Sequence, residues 1–554
     1  MRAHIYDRLD FQVSEDTSYV KILRPDGKTD TVYPFRFQPI SVTYDEEGLE
    51  KIAPSGEVEF HFRYTPDFVG EGRLEIHGAE IRTEVLTVSP CENHGYVEVG
   101  KTDSRYFAYT DGTPFFSVGI NAAFPTAYTV SDRTEFGLST EYGYIGLRQY
   151  ERWFKKLSQN GVNVARVWLG HTYFNPDTAS AYVLEDVKFS KIDRLFELAR
   201  QYGIKLKLTV EQFRYFDYEK IADSAGYADD IFRKFNKRLY ESDVRCENST
   251  EWLTDDRWKK AWLFKVNELA KRYAGDTTLF ALELWNEMNC MADFETVVAW
   301  NEEMLPEVKK LFPKNLVCNS LGSMDSEPMI EQYHRFCWDK SDFVQIHRYL
   351  DQGAPCRACG DTPLAMMQSA FELMKTDKPL FIAETGAVNN CHSGPFKFYV
   401  NDDRGILFAD TVYPPVFLKS AGTGNIWHWD ERYVEFKNLY AMFRPISGLV
   451  AGVAFENEHF ESLDLSNEAV WLLLLKGKTV SLGYIRNKAD NWKNTLRDMN
   501  DVKPVERFEF SLEGAADISC VRIWQEDKTA AKIIDGVVRF ENIRFGTLFK
   551  IGMQ

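Results

Sequence analysis

The chain has 554 residues with 66 basic and 83 acidic side chains, which gives a formal net charge of −17 at pH 7. This length predicts two or three domains rather than one small module. An acidic surface, with an isoelectric point near 5.2, repels phosphate backbones and anionic headgroups, so nucleic acids and membranes are excluded as expected partners. The aromatic share of 14% can serve as core or as stacking surface for bases or sugars.

The start of the chain shows no targeting signal. Residues 1–7 contain no apolar segment and no small-residue cleavage site, and no run approaches the ~20 apolar residues of a spanning helix. The sequence therefore predicts a cytoplasmic protein. Nine cysteines at irregular spacing indicate reduced thiols rather than a disulfide scaffold.

The first predicted unit, residues 1–90, is an N-terminal β-sandwich. From Thr17 to Val88 the sequence consists of short alternating segments, such as residues 58–64, separated by Gly, Pro and Asp turns. Pro90 marks the end of this unit.

The middle unit, residues 91–445, alternates apolar strands with amphipathic helices. Eight such strands predict an α/β fold, a closed (β/α)8 TIM barrel, with an open doubly wound sheet as the alternative. Ser190 and Asp193 are interpreted as a capping box that opens a helix, and Gly203 as its left-handed stop. The predicted strands are residues 115–121, 162–169, 205–211, 280–287, 316–321, 343–349, 380–384 and 424–429.

A long insertion separates the third predicted strand from the fourth. Insertions of this length usually lie on the βα side of a barrel and shape the mouth of its site. The aromatic and charged segment 213–252 is therefore either a wall of the site or a surface helix without function. The strand pattern resumes after Pro445, and residues 446–554 are predicted to form a C-terminal β-sandwich.

Two of the predicted barrel strands end in a glutamate. The fourth strand ends in Asn286-Glu287, and the seventh ends in Glu384. In a barrel, chemistry takes place where the strands end, and the fourth and seventh strands lie across the mouth from each other. Cleavage of a glycosidic bond needs one carboxylic acid to protonate the departing oxygen and one carboxylate to attack or stabilise the sugar. The two glutamates can therefore flank one sugar.

The glutamates belong to an ordered set of motifs. The set continues with His347-x-Tyr349 on the sixth strand and Trp427 on the eighth. Over residues 110–440 the chain resembles glycoside hydrolase clan A, closest to family 5, and segments 109–115 and 421–430 resemble multidomain bacterial members. The resemblance implies a retaining double displacement with Glu287 as acid/base and Glu384 as nucleophile, which requires carboxyl groups about 5–5.5 Å apart.

The resemblance also implies roles for residues around the glutamates. Asn286 would bind the sugar 2-hydroxyl, and Arg166 would support the nucleophile, unless it forms a plain buried ion pair with Glu283. Tyr349 would bond the nucleophile. His347 would bind the sugar, or it is a satisfied core histidine.

Three further side chains are candidates for substrate binding. Trp427 would form the floor of the subsite that holds the reacting sugar, because C–H bonds stack on an indole face. Trp429 shares its strand face, although it could equally pack in the core. His171, just past the second strand, is a weaker candidate.

Four loop cysteines allow a metal hypothesis. Thiols and imidazoles can make a tetrahedral zinc site, but a single Cys-x-x-Cys without a second pair favours unpaired thiols. No metal and no other cofactor is therefore expected. The four residues are Cys290, Cys356, Cys359 and Cys391.

The sequence thus predicts a retaining hydrolase of β-linked glycosides, exo-acting or trimming oligosaccharides, with a glycan as its partner. One alternative is an endo-acting β-mannanase or β-glucanase, and the other is a carbohydrate-binding protein without activity. The presence of both glutamates disfavours the protein without activity. The sequence contains no Gly-x-Ser-x-Gly elbow, which disfavours an acyl hydrolase. A homo-oligomer is left open.

Overall fold

The computed structural model describes residues 1–125, 144–171, 173–178, 181–212, 248–336, 340–430 and 432–554. Most of the predicted insertion, residues 213–247, therefore lies outside the described residues. Within them, no helix combines the length and the apolar character that crossing a membrane requires.

Two sheets and a hairpin form at the N-terminus. The sheet orders are β1-β10-β9-β3-β4 and β2-β8-β5, and β6 pairs with β7. Val20 and Leu74 of the first sheet share one buried cluster with Phe62 and Tyr64 of the second, so the two sheets pack face to face. The boundary at residue 90 stays a prediction. The strands are β1 (Arg2–His4), β2 (Leu9–Val13), β3 (Tyr19–Leu23), β4 (Thr29–Val32), β5 (Phe35–Phe37), β6 (Ile40–Tyr44), β7 (Glu50–Pro54), β8 (Glu59–Tyr64), β9 (Gly70–His77) and β10 (Ile81–Ser89).

The middle of the chain forms a parallel barrel. Strands β14-β15-β16-β17-β18 form one parallel sheet, and β19 pairs with β20 in parallel. The strands of this region are β11 (Val97–Val99), β12 (Phe107–Tyr109), β13 (Pro114–Phe115), β14 (Gly119–Asn121), β15 (Val164–Trp168), β16 (Lys205–Glu211), β17 (Leu279–Trp285), β18 (Leu316–Cys318), β19 (Val344–His347) and β20 (Leu380–Glu384).

An irregular segment closes the barrel. Gly422 bridges to Ser117, and Ile426 bridges to Thr385, both in parallel, so residues 422–426 lie between the first and last strands. The prediction of a regular eighth strand at residues 424–429 is therefore wrong. At Gly424 the chain passes so close to Thr411 that a Cβ would lie 2.4 Å from its carbonyl oxygen, so a larger residue there would require the backbone to shift.

Helices alternate with the barrel strands. The second helix begins at Asp186, so Ser190 and Asp193 lie inside it and the predicted capping box is wrong. Ser190 Oγ instead donates to the carbonyl of Gln38 (2.6 Å), and Asp193 accepts from Arg63 (2.5 Å). The left-handed stop at Gly203 (φ +67°) is confirmed. The α-helices are Leu147–Gln159, Asp186–Gln201, Ser249–Thr254, Asp256–Tyr273, Phe294–Leu311, Glu327–Phe336, Pro363–Leu373, Ile406–Val412, Pro414–Phe417, Phe443–Val450 and Phe455–Glu458.

The amino-terminal end of the barrel is sealed by phenylalanines. The antiparallel strands β11-β12-β13 cover this end. The ring of Phe280 lies 5.3 Å from that of Phe107, 5.8 Å from that of Phe115 and 5.9 Å from that of Phe343. Phe381 completes the buried cluster, so this end is a closed apolar plug.

The C-terminal strands form two more sheets. Their orders are β21-β22-β23-β28-β25 and β24-β27-β26. Leu472 and Phe549 of the first sheet share a buried cluster with Phe508 and Phe540 of the second. A separate sandwich domain over residues 446–554 stays a prediction. The strands are β21 (Glu461–Asp464), β22 (Val470–Lys476), β23 (Val480–Asn487), β24 (Val505–Ser511), β25 (Ala515–Arg522), β26 (Ala530–Ile534), β27 (Val537–Ile543) and β28 (Gly546–Met553).

Candidate active site

Glu287 stands directly beyond a fully buried strand. All residues of β17 are buried, and Asn286 and Glu287 follow its last residue, Trp285. Glu287 adopts a left-handed backbone conformation (φ 50°, ψ 53°), and its N–H donates to Ser320 Oγ (3.1 Å). Such a conformation costs energy for a residue with a Cβ and is concentrated at functional positions.

Glu384 ends strand β20 and lies close to Glu287. The β19–β20 register pairs His347 with Glu384. His347 Nδ1 lies 2.8 Å from Glu287 Oε1 and 3.4 Å from Glu384 Oε2. One carboxylate oxygen of each glutamate and a ring nitrogen of His347 lie within 4.8 Å of one another. Two carboxyl groups this close suit attack by one of them on a sugar, whereas inversion needs room for a water between them.

Two donors hold the Glu384 carboxylate. Arg166 Nη1 donates to Oε1 (2.5 Å), and Tyr349 Oη donates to Oε2 (2.6 Å). Burial raises the pKa of Glu384, and the charge of Arg166 and the hydrogen bonds from Tyr349 and Arg166 oppose that rise. These donors favour the ionised form and fix the direction of the carboxylate.

Glu287 carries fewer compensating contacts. Burial raises its pKa well above the usual value, and the neighbouring charge of Glu384 raises it further. Burial also lowers the pKa of His347 well below its usual value, with Arg166 acting in the same direction. A neutral imidazole therefore lies between two carboxyl groups, of which Glu287 keeps its proton more readily.

Arg166 connects this pair to a buried ionic network. Its Nε and Nη2 donate to Glu283 (2.7 and 3.0 Å), and Nη2 also donates to Asn286 Oδ1 (2.7 Å). The two interpretations of Arg166, an ion pair with Glu283 and a support for Glu384, hold at the same time. Asn286 Oδ1 is thus occupied by Arg166, and the binding of a sugar hydroxyl by Asn286 stays a prediction.

A cavity of about 420 Å³ opens beside the carboxyl groups. Its lining includes Trp427, which is half-buried and packs against Trp168 with ring centroids 4.9 Å apart. On another part of the wall, His392 Nε2 lies 2.9 Å from Ser323 Oγ, and His392 Nδ1 lies 3.0 Å from Asp351 Oδ2. The cavity therefore offers ring faces and hydrogen-bonding groups next to the two carboxyls.

Comparison with known proteins identifies the family of the chain. Residues 126–405 match the family model "Cellulase (glycosyl hydrolase family 5)", which is half of the chain. The chain belongs to glycosyl hydrolase family 5. Its (β/α)8 barrel is the fold that this family implies.

Two curated relatives of this family 5 chain are mannanases. The chain is 32% identical over 180 residues to mannan endo-1,4-beta-mannosidase 4 of Oryza sativa subsp. japonica, covering 30% of the chain and 36% of the relative. It is 25% identical over 257 residues to mannan endo-1,4-beta-mannosidase A of Emericella nidulans, covering 43% and 62%. The chain thus spans about a third of the length of the first relative and under two thirds of the second. These relatives are plant and fungal, so the predicted bacterial origin stays a prediction.

A solved structure agrees over the whole chain. A candidate glycoside hydrolase from Bacteroides vulgatus superposes with a TM-score of 0.52 at 12% identity and covers 100% of both chains. At this identity the likeness concerns the fold alone.

Two predicted substrate-binding residues of the family 5 chain lie behind the cavity wall. Trp429 is 2% exposed, and its ring packs edge-on against Phe124 (5.3 Å) and Trp153 (6.2 Å). Of the two alternatives for Trp429, it therefore follows the one in which the ring packs in the core. His171 is 1% exposed and stacks on Phe124 at 4.6 Å. Burial lowers the pKa of His171 to about 3. Of the closing segment, Trp427 and His428 line the cavity, whereas Trp429 and His171 pack behind its aromatic wall.

The cysteines do not assemble into the zinc site that was considered. Within the described part of the chain, three potential metal-ligand atoms lie within 4.8 Å of one another at Glu287, His347 and Glu384. Among the described residues, no group of this kind includes a cysteine thiol. Burial raises the pKa of Cys290 and of Cys359 to about 12, which disfavours the thiolate that zinc needs.

The sequence interpretation missed Lys207, which lies inside the barrel below the glutamates. Its side chain is fully buried, pairs with Glu283 Oε2 (2.8 Å) and donates to Gln345 Oε1. A signal existed, because Lys207 is a charged residue within a predicted barrel strand, on the same strand face as Thr209 and Glu211. Its partners are distant in sequence, so the pattern alone could not identify its role.

Proposed function

We propose that the protein hydrolyses β-linked glycosides with retention of configuration, by double displacement. The observation that carries the proposal is the pair Glu287 and Glu384, whose nearest carboxylate oxygens lie within 4.8 Å in unequal surroundings. The Glu384 carboxylate accepts hydrogen bonds from Arg166 and Tyr349. Burial raises the pKa of Glu287 well above its usual value.

In the first step, Glu384 attacks the anomeric carbon while Glu287 gives its proton to the departing glycosidic oxygen. This forms a glycosyl ester on Glu384. In the second step, Glu287 removes a proton from water, and the water oxygen displaces Glu384 from the anomeric carbon. Trp427 would stack on the sugar and Asn286 would donate to a ring hydroxyl.

The substrate class we propose is β-mannosidic oligosaccharides, which the names of the two relatives support. Exo-acting trimming is the mode predicted from the sequence. Endo-acting hydrolysis of mannan is the second candidate, because both relatives are named endo-mannosidases.

The products of β-1,4-mannohexaose separate the two modes. An exo-acting enzyme releases mannose and mannopentaose first, whereas an endo-acting enzyme releases internal fragments of two to four residues first. Chromatography of the earliest products gives the answer.

The chemistry is tested with Glu287→Ala. Loss of the general acid should slow hydrolysis of mannohexaose by about 10²–10⁴-fold, whereas a nitrophenyl β-mannoside, whose leaving group needs no proton, should be affected far less. Glu295→Ala, which removes an exposed glutamate on the helix Phe294–Leu311, is the matched control. Hydrolysis of mannohexaose by Glu287→Ala at the wild-type rate would contradict the proposal.

A further inference from the structure

A second cavity lies where the N-terminal strands meet the helices of the barrel. It has a volume of about 530 Å³, and we call it the junction cleft. Tyr33, between β4 and β5, lines one side. Tyr182, which precedes the helix Asp186–Gln201, and Phe264, on the helix Asp256–Tyr273, line the barrel side. None of these residues contributes to the candidate active site.

The junction cleft collects exposed aromatic surface. Among the described residues, the exposed large hydrophobic side chains include three aromatic ones, Tyr33 (54%), Tyr182 (52%) and Phe436 (54%). Two of the three line this one cavity. The rings of Tyr182 and Phe264 pack edge to face with centroids 5.4 Å apart. Exposed apolar surface that clusters beside polar groups marks a binding site more often than isolated exposed residues do.

The charged groups of the cleft are balanced in sign. Asp186 accepts from Arg36 Nε (2.9 Å), and Glu268 accepts from Arg272 Nη1 (2.8 Å) and from Lys271. With Glu15, three acidic and three basic residues line the cleft. A balanced lining gives no net attraction for a phosphate or for a cationic ligand, and it suits a neutral ligand that both donates and accepts hydrogen bonds.

Arg272 is the most buried charged residue of the cleft lining. The side chain is 2% exposed, and its guanidinium lies over the rings of Phe189 (3.9 Å) and Phe35 (4.6 Å). Together with these two rings it forms a fixed wall of the cleft.

We infer that the junction cleft is a second, non-catalytic site that binds a neutral oligosaccharide, with the sugar rings on Tyr33 and Tyr182. Ring faces beside hydrogen-bonding groups also line the active-site cavity around Trp427. The inference rests on the proposed function for its ligand class, because a glycosidase that holds a second part of its substrate keeps that substrate near the active site.

The test is calorimetric titration of β-1,4-mannohexaose, with cellohexaose as a second probe, into Glu384→Ala protein, which holds substrate without turnover. Two binding events are expected. Tyr182→Ala and Tyr33→Ala, each added to that background, should weaken one event by about fivefold or more, because each removes a stacking face. Phe436→Ala, which removes an equally exposed ring outside the cleft, is the matched control and should leave both events unchanged.

The same substitutions in the active protein separate this inference from the proposed function. The kcat/KM for a nitrophenyl β-mannoside, which reaches only the active site, should not change in Tyr33→Ala or Tyr182→Ala. One binding event that neither tyrosine variant weakens would overturn the inference, and so would a wild-type dimer that Tyr182→Ala dissociates, because the cleft would then be an interface between copies. Absence of any hydrolysis with two intact binding events would reject the proposed function and keep the second site.

Discussion

The two ends of the barrel differ in the chemistry of their side chains. At the amino-terminal end, the rings of Phe107, Phe280, Phe343 and Phe381 close the barrel with apolar contacts. At the carboxyl-terminal end lie two glutamates with raised pKa values, Glu287 and Glu384. The backbone of Glu287 also adopts a left-handed conformation. The comparison shows that one end stabilises the barrel and the other end accepts strain and buried charge in order to act.

Between these ends lies a layer of paired charges. Arg166 and Lys207 face Glu283 and Glu384, two positive groups against two negative ones, all buried. Unpaired, each of these charges would be strongly destabilising in the barrel interior. Within this layer, the charge of Arg166 opposes the rise that burial causes in the pKa of Glu384.

The largest expected effect is on activity, from a change at the carboxyl end. Glu384→Ala should lower kcat by about 10⁴-fold or more, because the attacking group is gone. The variant should stay folded, as circular dichroism can check, since Arg166 keeps its contacts with Glu283. Glu384→Gln, which preserves shape, should be equally inactive. Retention of more than a tenth of wild-type kcat by either variant would contradict the role of Glu384 as the attacking group.

A change at the sealed end should show the reverse pattern. Phe280→Ala opens a void among the surrounding rings and should lower the free energy of unfolding by about 3–5 kcal/mol, as measured by urea denaturation. The kcat of the protein that remains folded at 25 °C should stay close to the wild-type value. Phe436→Ala, at an exposed ring, should alter stability by less than about 0.5 kcal/mol. A selective loss of kcat in Phe280→Ala would show that the two ends are not separate in function.

The charged layer should give the smallest effect, seen in the pH profile. Removal of the Lys207 charge should raise the pKa values of Glu384 and Glu287, so both limbs of the kcat/KM profile should move to higher pH by about one unit. Lys207→Met is the test, and Thr209→Val is its control, because it removes only a neutral hydrogen bond (2.9 Å) to the same Glu283 carboxylate. An unchanged profile in Lys207→Met would mean that Lys207 carries no charge at the working pH.

The sequence predicted those features that depend on local pattern and strand order. Glu287 and Glu384 could be found because each lies at the carboxyl end of a buried apolar strand, and strand order places them together. The pairing of Tyr349 with Glu384 was expected from the motif. The parallel strands β14 to β20 were also foreseen, with ends that differ by a few residues.

Other features depend on contacts between distant segments. Ser190 and Asp193 matched a helix start, but their partners, Gln38 and Arg63, lie in the N-terminal strands. Trp429 and Trp427 share a strand face in an ideal strand, yet the closing segment makes only isolated bridges and Trp429 lies in the core. Such contacts between distant segments cannot be predicted from a local sequence pattern.

The stereochemistry of the first product tests the central claim most directly. Proton NMR of the sugar released from a nitrophenyl β-mannoside, recorded before mutarotation, identifies its anomeric form. The account predicts that the β-anomer appears first, because Glu384 and then water each invert the anomeric carbon once. Initial release of the α-anomer would show a single displacement and would contradict the assignment of Glu384 as nucleophile.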